Sequence, residues 1–393
     1  MKKLVHHGIL TPDPPEFKGQ SIQINGVKIV LTPLQEEMAY AWAKKKDTPY
    51  VADPVFIRNF MTDFCRALGL GKTVSVNDID FSELNERVDQ ERAAREALSK
   101  EERKALAAQR KATREQLKAT YGYAIADDER IELATYMTEP SGIFMGRGKH
   151  PLRGRWKAGA TKKDITLNLS PDAEINRDEW DEVCWQPESL WVARWEDKLS
   201  GKLKYIWLHD TAPIKQTREA QKFDKATELD SRLEKIQQHI EEGLRSDNAK
   251  IRKIATACTL IDRLCLRVGD EKDPDEADTV GATTLRPEHI KFLEQNWVEF
   301  RFLGKDSVLW HKKIELPDVV IQNLQELART ARPSLTAKSN KKHPIYSKPQ
   351  LFPDVSSRDV NGFLSEVMPG LSAKVFRTHH ATAVVKKSLY ETR

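Results

Sequence analysis

The chain of 393 residues has only four cysteines, Cys65, Cys184, Cys258 and Cys265, and no C-x-x-C pair. That excludes a disulfide framework and a zinc ribbon, and it agrees with a reducing compartment. Long apolar runs are missing as well. No window approaches the roughly 18 to 20 apolar residues that cross a bilayer, and the start, Met1-Lys2-Lys3-Leu4-Val5-His6-His7, has no apolar signal core. The expectation is an intracellular chain with no membrane association. Neither sign of charge is in large surplus: 64 Lys and Arg against 59 Asp and Glu leave +5. A polyanionic partner must therefore be sought in local clusters. No internal repeat is visible, and the length suits two or three domains.

Two nucleotide and metal signatures also fail. Leu70-Gly71-Lys72-Thr73 resembles the end of a phosphate loop, but the first glycine of that motif is replaced by Arg66. His6-His7 and His379-His380 are adjacent pairs, not the i, i+4 spacing that aims two imidazoles at one ion, so they read as surface or core histidines. No metal site and no cofactor are expected.

The patterning alternates between β and helical stretches. Ile22 to Val30 reads as strand, turn, strand around Asn25-Gly26. Helical spacing follows over 33 to 68, then one long charge-laced helix over 81 to 118, read as a solvated surface or hinge helix. A mixed stretch over 121 to 212 contains a hairpin, Ser189 to Trp195 and Lys202 to Leu208, turning at Leu199-Ser200-Gly201. From Pro213 the pattern is helical to Val268. Val298 to Phe302 and Val308 to Trp310 then form a second hairpin around Gly304-Lys305-Asp306. Residues 332 to 349, rich in Pro, Ser and Lys, read as a loop.

The strongest local charge signal runs from Gly146 to Lys163 without one acid. Its glycines let backbone N–H groups approach a phosphate, and arginine supplies a two-pronged fork that lysine cannot. A nucleic-acid backbone is the natural partner. Arg267 closes an apolar helical stripe, Lys305 sits at a hairpin tip, and Arg377 lies in Ala373-Lys374-Val375-Phe376-Arg377-Thr378. Taken singly, an arginine at a helix end complements the helix dipole, and a turn lysine is merely exposed.

Read together, several ordered segments resemble the core of the type IB DNA topoisomerases. They are Tyr121-Gly122 with Ile125, Pro140-Ser141-Gly142-Ile143-Phe144-Met145-Gly146-Arg147-Gly148-Lys149-His150-Pro151, Leu266-Arg267-Val268-Gly269-Asp270-Glu271-Lys272, Ala277-Asp278-Thr279-Val280-Gly281, Phe302-Leu303-Gly304-Lys305-Asp306-Ser307, and Ala373 to Thr378. The resemblance implies an α+β fold, a two-lobed DNA clamp. A cap lobe of mixed subdomains would take 1–212, and a mainly helical catalytic lobe, like that of the tyrosine recombinases, would take 213–393. By the same resemblance Arg267 and Arg377 are the catalytic arginines and Lys305 the general acid. DNA contacts fall at Arg95, Arg147, Trp191, Lys204, Tyr205, Lys222, Thr279, Asn361, Ser372, Ala373 and Lys374, with Val268, Gly269, Asp270, Glu271 and Lys272 continuing the Arg267 strip. Most would touch phosphate and sugar, so weak sequence preference and a steep loss of affinity with salt are expected.

The reaction implied is transesterification, in which a tyrosine oxygen displaces a DNA 5′ oxygen and leaves a 3′-phosphotyrosyl link. That link conserves the bond energy, so neither ATP nor a metal is required. The family's catalytic histidine and nucleophilic tyrosine find no match before Arg393, and Tyr390 lacks the nucleophile's surroundings. The expectation is a core that is inactive alone and is completed by a tyrosine-bearing C-terminal segment, or by a small second subunit as in trypanosomatid relatives. It is otherwise a monomer on double-stranded DNA, in a nucleoid or a nucleus. Lack of the long charged amino-terminal tail of nuclear members leans towards an archaeal or trimmed source. The competing readings are a non-catalytic DNA clamp and a tyrosine recombinase. Recombinases share the Arg, Lys, Arg logic but have no need of the matches over 121 to 208.

Overall fold

The computed structural model describes residues 1–270, 276–333 and 348–391. The chain divides into two compact units, one of 1–146 with 152–216, the other of 147–151 with 217–393. Both combine helices with small sheets, so the α+β class holds.

In the first unit β1 (Leu4–Val5) is followed by the hairpin β2 (Ser21–Ile24) and β3 (Val27–Val30). Its turn works because Asn25 and Gly26 both take positive φ, 50° and 79°, which matches the twist of the strands. The expected helical stretch splits into α1 (Pro33–Ala43) and α2 (Pro54–Ala67). Asp53 starts α2 by accepting from the Val55 and Phe56 amides at 2.9 and 3.2 Å, with Pro54 in the first turn. Phe56, Phe60 and Phe64 then recur every four residues and are wholly buried, with Phe60 stacked on Trp42 at 4.5 Å.

The long helix expected over 81 to 118 is two helices. After β4 (Ile79–Asp80), α3 (Ser82–Ala97) ends because Leu98 is extended at ψ 132°, and Ser99 with Glu102 forms a capping box that starts α4 (Lys100–Tyr121). Helix α4 buries no residue, as its charge pattern predicted.

The remaining strands of this unit are β5 (Tyr123–Ala126), β6 (Glu129–Glu132), β7 (Gly142–Ile143), β8 (Trp156–Lys157), β9 (Ile165–Asn168), β10 (Glu182–Cys184), β11 (Trp191–Glu196) and β12 (Leu203–Trp207). They form the sheets β1-β5-β6, β7-β8 and β10-β9-β11-β12. The last contains the expected hairpin, with a register shift between Trp191 and Ala193 and Gly201 at φ 66° in the turn.

The helix α5 (Pro213–Leu244) leads into the second unit, followed by α6 (Ala249–Leu264). The helical pattern read as far as Val268 stops four residues early: Cys265 adopts the left-handed conformation, φ 54° and ψ 34°, and turns the chain out of the helix. Then come β13 (Ile290–Phe292), β14 (Trp297–Leu303), β15 (Leu309–Glu315), α7 (Asp318–Arg329), α8 (Ser357–Ser365) and α9 (Ala373–Glu391). The hairpin β14–β15 is in register from Trp297↔Glu315 to Leu303↔Leu309. One continuous core, including Ile254, Leu260, Phe300, Phe352, Val360 and Phe376, holds these elements. Most of the loop read over 332 to 349 lies outside the described residues; at its ends the Gln350 amide donates to the Arg332 carbonyl at 3.0 Å.

Candidate phosphate-binding site

Arg267 follows directly from the Cys265 reversal. Leu266 is buried, so its neighbour Arg267 points its side chain out and is exposed. The strip it stands on is clamped by residues 280–284: the Ala282 amide donates to the Arg267 carbonyl and the Thr283 amide to the Val268 carbonyl, both at 2.8 Å. The Thr283 hydroxyl also donates to the Val268 and Gly269 carbonyls, at 3.0 and 2.7 Å. The two strips lie so close that a Cβ on Gly281 would stand 2.5 Å from the Gly269 Cα, which only glycine permits. Asp270 anchors the far end by accepting from the Ser357 amide at 3.0 Å.

The same clamp reaches the Lys305 hairpin, since the Val280 amide donates to the Leu303 carbonyl at 2.8 Å. Asp306 and Ser307 take positive φ at the tip and leave Lys305 exposed. Arg147 is brought to this tip, paired with Asp306, and a Cβ on Gly148 would lie 2.5 Å from the Ser307 hydroxyl.

Arg377 arrives from α9. The Asn361 side-chain oxygen accepts from the Ala373 amide at 3.0 Å and so caps the helix start; Ser372 is half-buried, Ala373 buried and Lys374 exposed. Val375 and Phe376 are buried, and Arg377 is half-buried one step beyond them. Burial, followed by the facing Arg267, pulls the Arg377 guanidinium below its ordinary range. Arg267 thus acts on Arg377 as a like charge, and among the described residues the side chains of Arg267, Lys305 and Arg377 meet no carboxylate. Such an arrangement is unfavourable when empty and favourable around an anion with several acceptor oxygens.

Thr279 belongs to the same clamp, beside Asp278, which accepts from Arg286 at 2.9 and 3.0 Å. Glu271, Lys272 and the Lys222 side chain lie outside the described residues. The other candidates are on the first unit. Arg95 is exposed in the last turn of α3, and Lys204 and Tyr205 are half-buried on β12. Trp191 is buried at 4%, with Arg194 over its ring and Tyr205 edge-on to it at 6.3 Å. Reading the sequence did not bring out the Gly269–Gly281 contact, the Arg286–Asp278 pair, or the pairing of His380 with Asp262 at 2.9 Å. The last joins positions 118 apart in the chain; the one visible hint was that His380 stands one helical turn after Arg377.

Comparison with known proteins bears on this arrangement. The family described as "Eukaryotic DNA topoisomerase I, DNA binding fragment" matches residues 1–208, and "Eukaryotic DNA topoisomerase I, catalytic core" matches 211–393. The chain is 32% identical to DNA topoisomerase 1 beta of Arabidopsis thaliana, with 100% of this chain and 42% of that protein aligned. It is 32% identical to DNA topoisomerase 1 of Candidozyma auris, over 98% of this chain and 51% of that one. Against DNA topoisomerase 1 of Homo sapiens the identity is 31%, over 99% and 51%. The chain thus spans about half the length of the curated relatives it matches.

Proposed function

This chain belongs to the eukaryotic DNA topoisomerase I family, and on that premise we propose that it is the DNA-binding and catalytic core of a type IB enzyme. Completed by a tyrosine-bearing C-terminal segment, it relaxes supercoiled duplex DNA by cutting and resealing one strand. Residues 1–212 serve as the cap lobe and 213–393 as the catalytic lobe of a DNA clamp. The chain acts as a DNA-associated monomer, in the nucleus in a eukaryotic cell, and is inactive without the tyrosine.

What carries this reading is the like charge of Arg267 acting on the half-buried Arg377, with neither side chain paired to a carboxylate among the described residues. In the reaction the tyrosine oxygen bonds to phosphorus while the bond to the 5′ oxygen breaks. Negative charge builds on the non-bridging oxygens of the five-coordinate transition state, where two guanidinium forks stabilise it. Lys305 gives a proton to the departing 5′ oxygen, and the reverse transfer reseals the strand. The exposed Arg95, Arg147 and Lys374, with the strip around Arg267, Thr279 and Asn361, hold the phosphate and sugar backbone.

The experiment is plasmid relaxation, without ATP or magnesium, by this chain mixed with the tyrosine-bearing segment of a relative. Relaxation is expected, and Arg267→Ala or Arg377→Ala should lower the cleavage rate by roughly 10² to 10³ while DNA affinity changes only a few-fold. DNA binding with no relaxation would favour a non-catalytic clamp instead.

A further inference from the structure

The basic stretch that dominates the sequence is largely neutralised in the fold. From Arg153 onward its cations meet carboxylates of the first unit. Arg153 pairs with Asp53 and Arg155 with Asp63, both at 2.7 Å, Lys157 with Glu139 and with Asp197 at 2.6 Å, and Lys162 with Glu179 at 2.5 Å. Lys163 donates to the Asp178 carbonyl at 2.5 Å. A cation already matched by a carboxylate adds little attraction for a phosphate.

The sheet β13-β14-β15 shows the opposite. It buries Val298, Phe300 and Phe302 on one face, so Glu299 and Arg301 lie on the other. The register places Lys291 and Lys313 opposite Glu299, one on each side, and His311 opposite Arg301. Lys291, Arg301, His311 and Lys313 are exposed. The Glu299 carboxylate is engaged by His311 Nε2 at 2.6 Å. That bond, ahead of the charges of Lys313 and Lys291, holds the Glu299 carboxyl below its ordinary range. Among the described residues Lys291, Arg301 and Lys313 have no hydrogen-bond or ion-pair partner. Arg301 is diagonal to both lysines, a backbone spacing of about 7 to 8 Å. That is roughly two steps of a DNA strand, whose charges recur every ~3.4 Å along the axis. The face continues through the Leu303↔Leu309 pair to the tip that carries Lys305, at most about 14 Å of strand beyond Arg301.

We propose that this outer face of β13-β14-β15 binds phosphates flanking the cleavage site through Lys291, Arg301 and Lys313, and that residues 153–163 make no phosphate contact. The inference rests on the reading of the chain as a duplex-binding core with Lys305 at the scissile phosphate. The partner is the same duplex, because the face is continuous with the Lys305 tip. Cations grouped on one face repel one another in the free chain and are matched when phosphates lie over them.

The test is the salt dependence of the chain's affinity for a short duplex with one cleavage site, followed by fluorescence anisotropy. Each phosphate contact contributes about 0.9 to the slope of log affinity against log salt. Arg301→Gln and Lys313→Gln should each reduce the slope by about that much, and the double variant by about twice as much. Lys162→Gln removes the same net charge and should leave the slope unchanged, which separates contact from overall charge. These side chains are at the surface, so the variants keep the fold. An unchanged slope in the double variant, or an equal reduction in Lys162→Gln, overturns the proposal. A second bound duplex that only the double variant loses also overturns it, since the face would then serve another molecule. Plasmid relaxation by the mixture with a tyrosine-bearing segment keeps this proposal distinct from the reading beneath it. The expected slopes without relaxation support the proposal and count against the topoisomerase reading; normal relaxation with unchanged slopes overturns the proposal alone.

Discussion

Lys305 shows how little a residue type says and how much its position says. A lysine in a turn is ordinarily a solvated charge, but here positive φ at Asp306 and Ser307 hold it out at the tip of a long, in-register hairpin. If its task is to protonate the leaving 5′ oxygen, the cost of removing it depends on how much the leaving group needs a proton. Lys305→Ala should slow cleavage of ordinary DNA by roughly 10² to 10⁴ and have little effect on a substrate carrying sulfur in place of the 5′ bridging oxygen. Equal losses on both substrates would assign Lys305 to binding instead.

At the scale of elements, the site depends on strips that are neither strand nor α-helix. Among the described residues, 265–270 and 280–284 have no strand ladder; they are joined by backbone and hydroxyl bonds and by the contact of Gly269 with Gly281. A methyl group at 281 would stand 2.5 Å from the Gly269 Cα and 2.9 Å from the Arg267 carbonyl oxygen, so the strips must separate. Gly281→Ala should destabilise the second unit by about 1 to 3 kcal/mol and lower cleavage beyond what the lost stability explains, because Arg267 moves with its strip. Denaturant unfolding beside single-turnover cleavage measures both. Unchanged cleavage in the folded variant would separate the clamp from the arginine. Gly304, with nothing closer than 3.7 Å, should tolerate alanine far better.

Across the whole molecule, both units carry a histidine that must stay neutral. His6, wholly buried, is held down to about 4 by burial. Its Nδ1 accepts from the Gly8 amide at 3.1 Å and its Nε2 meets the Asn168 carbonyl at 3.1 Å, an arrangement that requires the neutral ring. His289 in the second unit is also lowered to about 4, by burial first and then by Arg286. With folded values below the ordinary 6.5, each contributes stability that is present above that value and is lost as pH falls from about 6.5 towards 4. For His6 the full loss is on the order of 3 kcal/mol. Stability measured by denaturant should fall over this window, and His6→Gln should flatten the fall attributable to the first unit. A stability flat from pH 7 to 4 would contradict the assignment.

Much of this was legible in the sequence, for local reasons. Asn25-Gly26 demands a hairpin turn, and alternation around Gly304-Lys305-Asp306 marks a strand pair; each rests on neighbours in the chain. The ordered segments from Tyr121 to Thr378 likewise disclosed the family and pointed to Arg267, Lys305 and Arg377. Reading failed where one residue outweighed its pattern, as Leu98 did between α3 and α4 and Cys265 at the end of α6. What linear order could not express is which distant groups meet. The burial of Trp191 depends on how its sheet packs, and the engagement of Asp262 by His380 and Gln237 on how α5, α6 and α9 pack. Packing follows from the burial of side chains contributed by many segments at once, and the bonding needs of a buried charge are set only when that burial is complete.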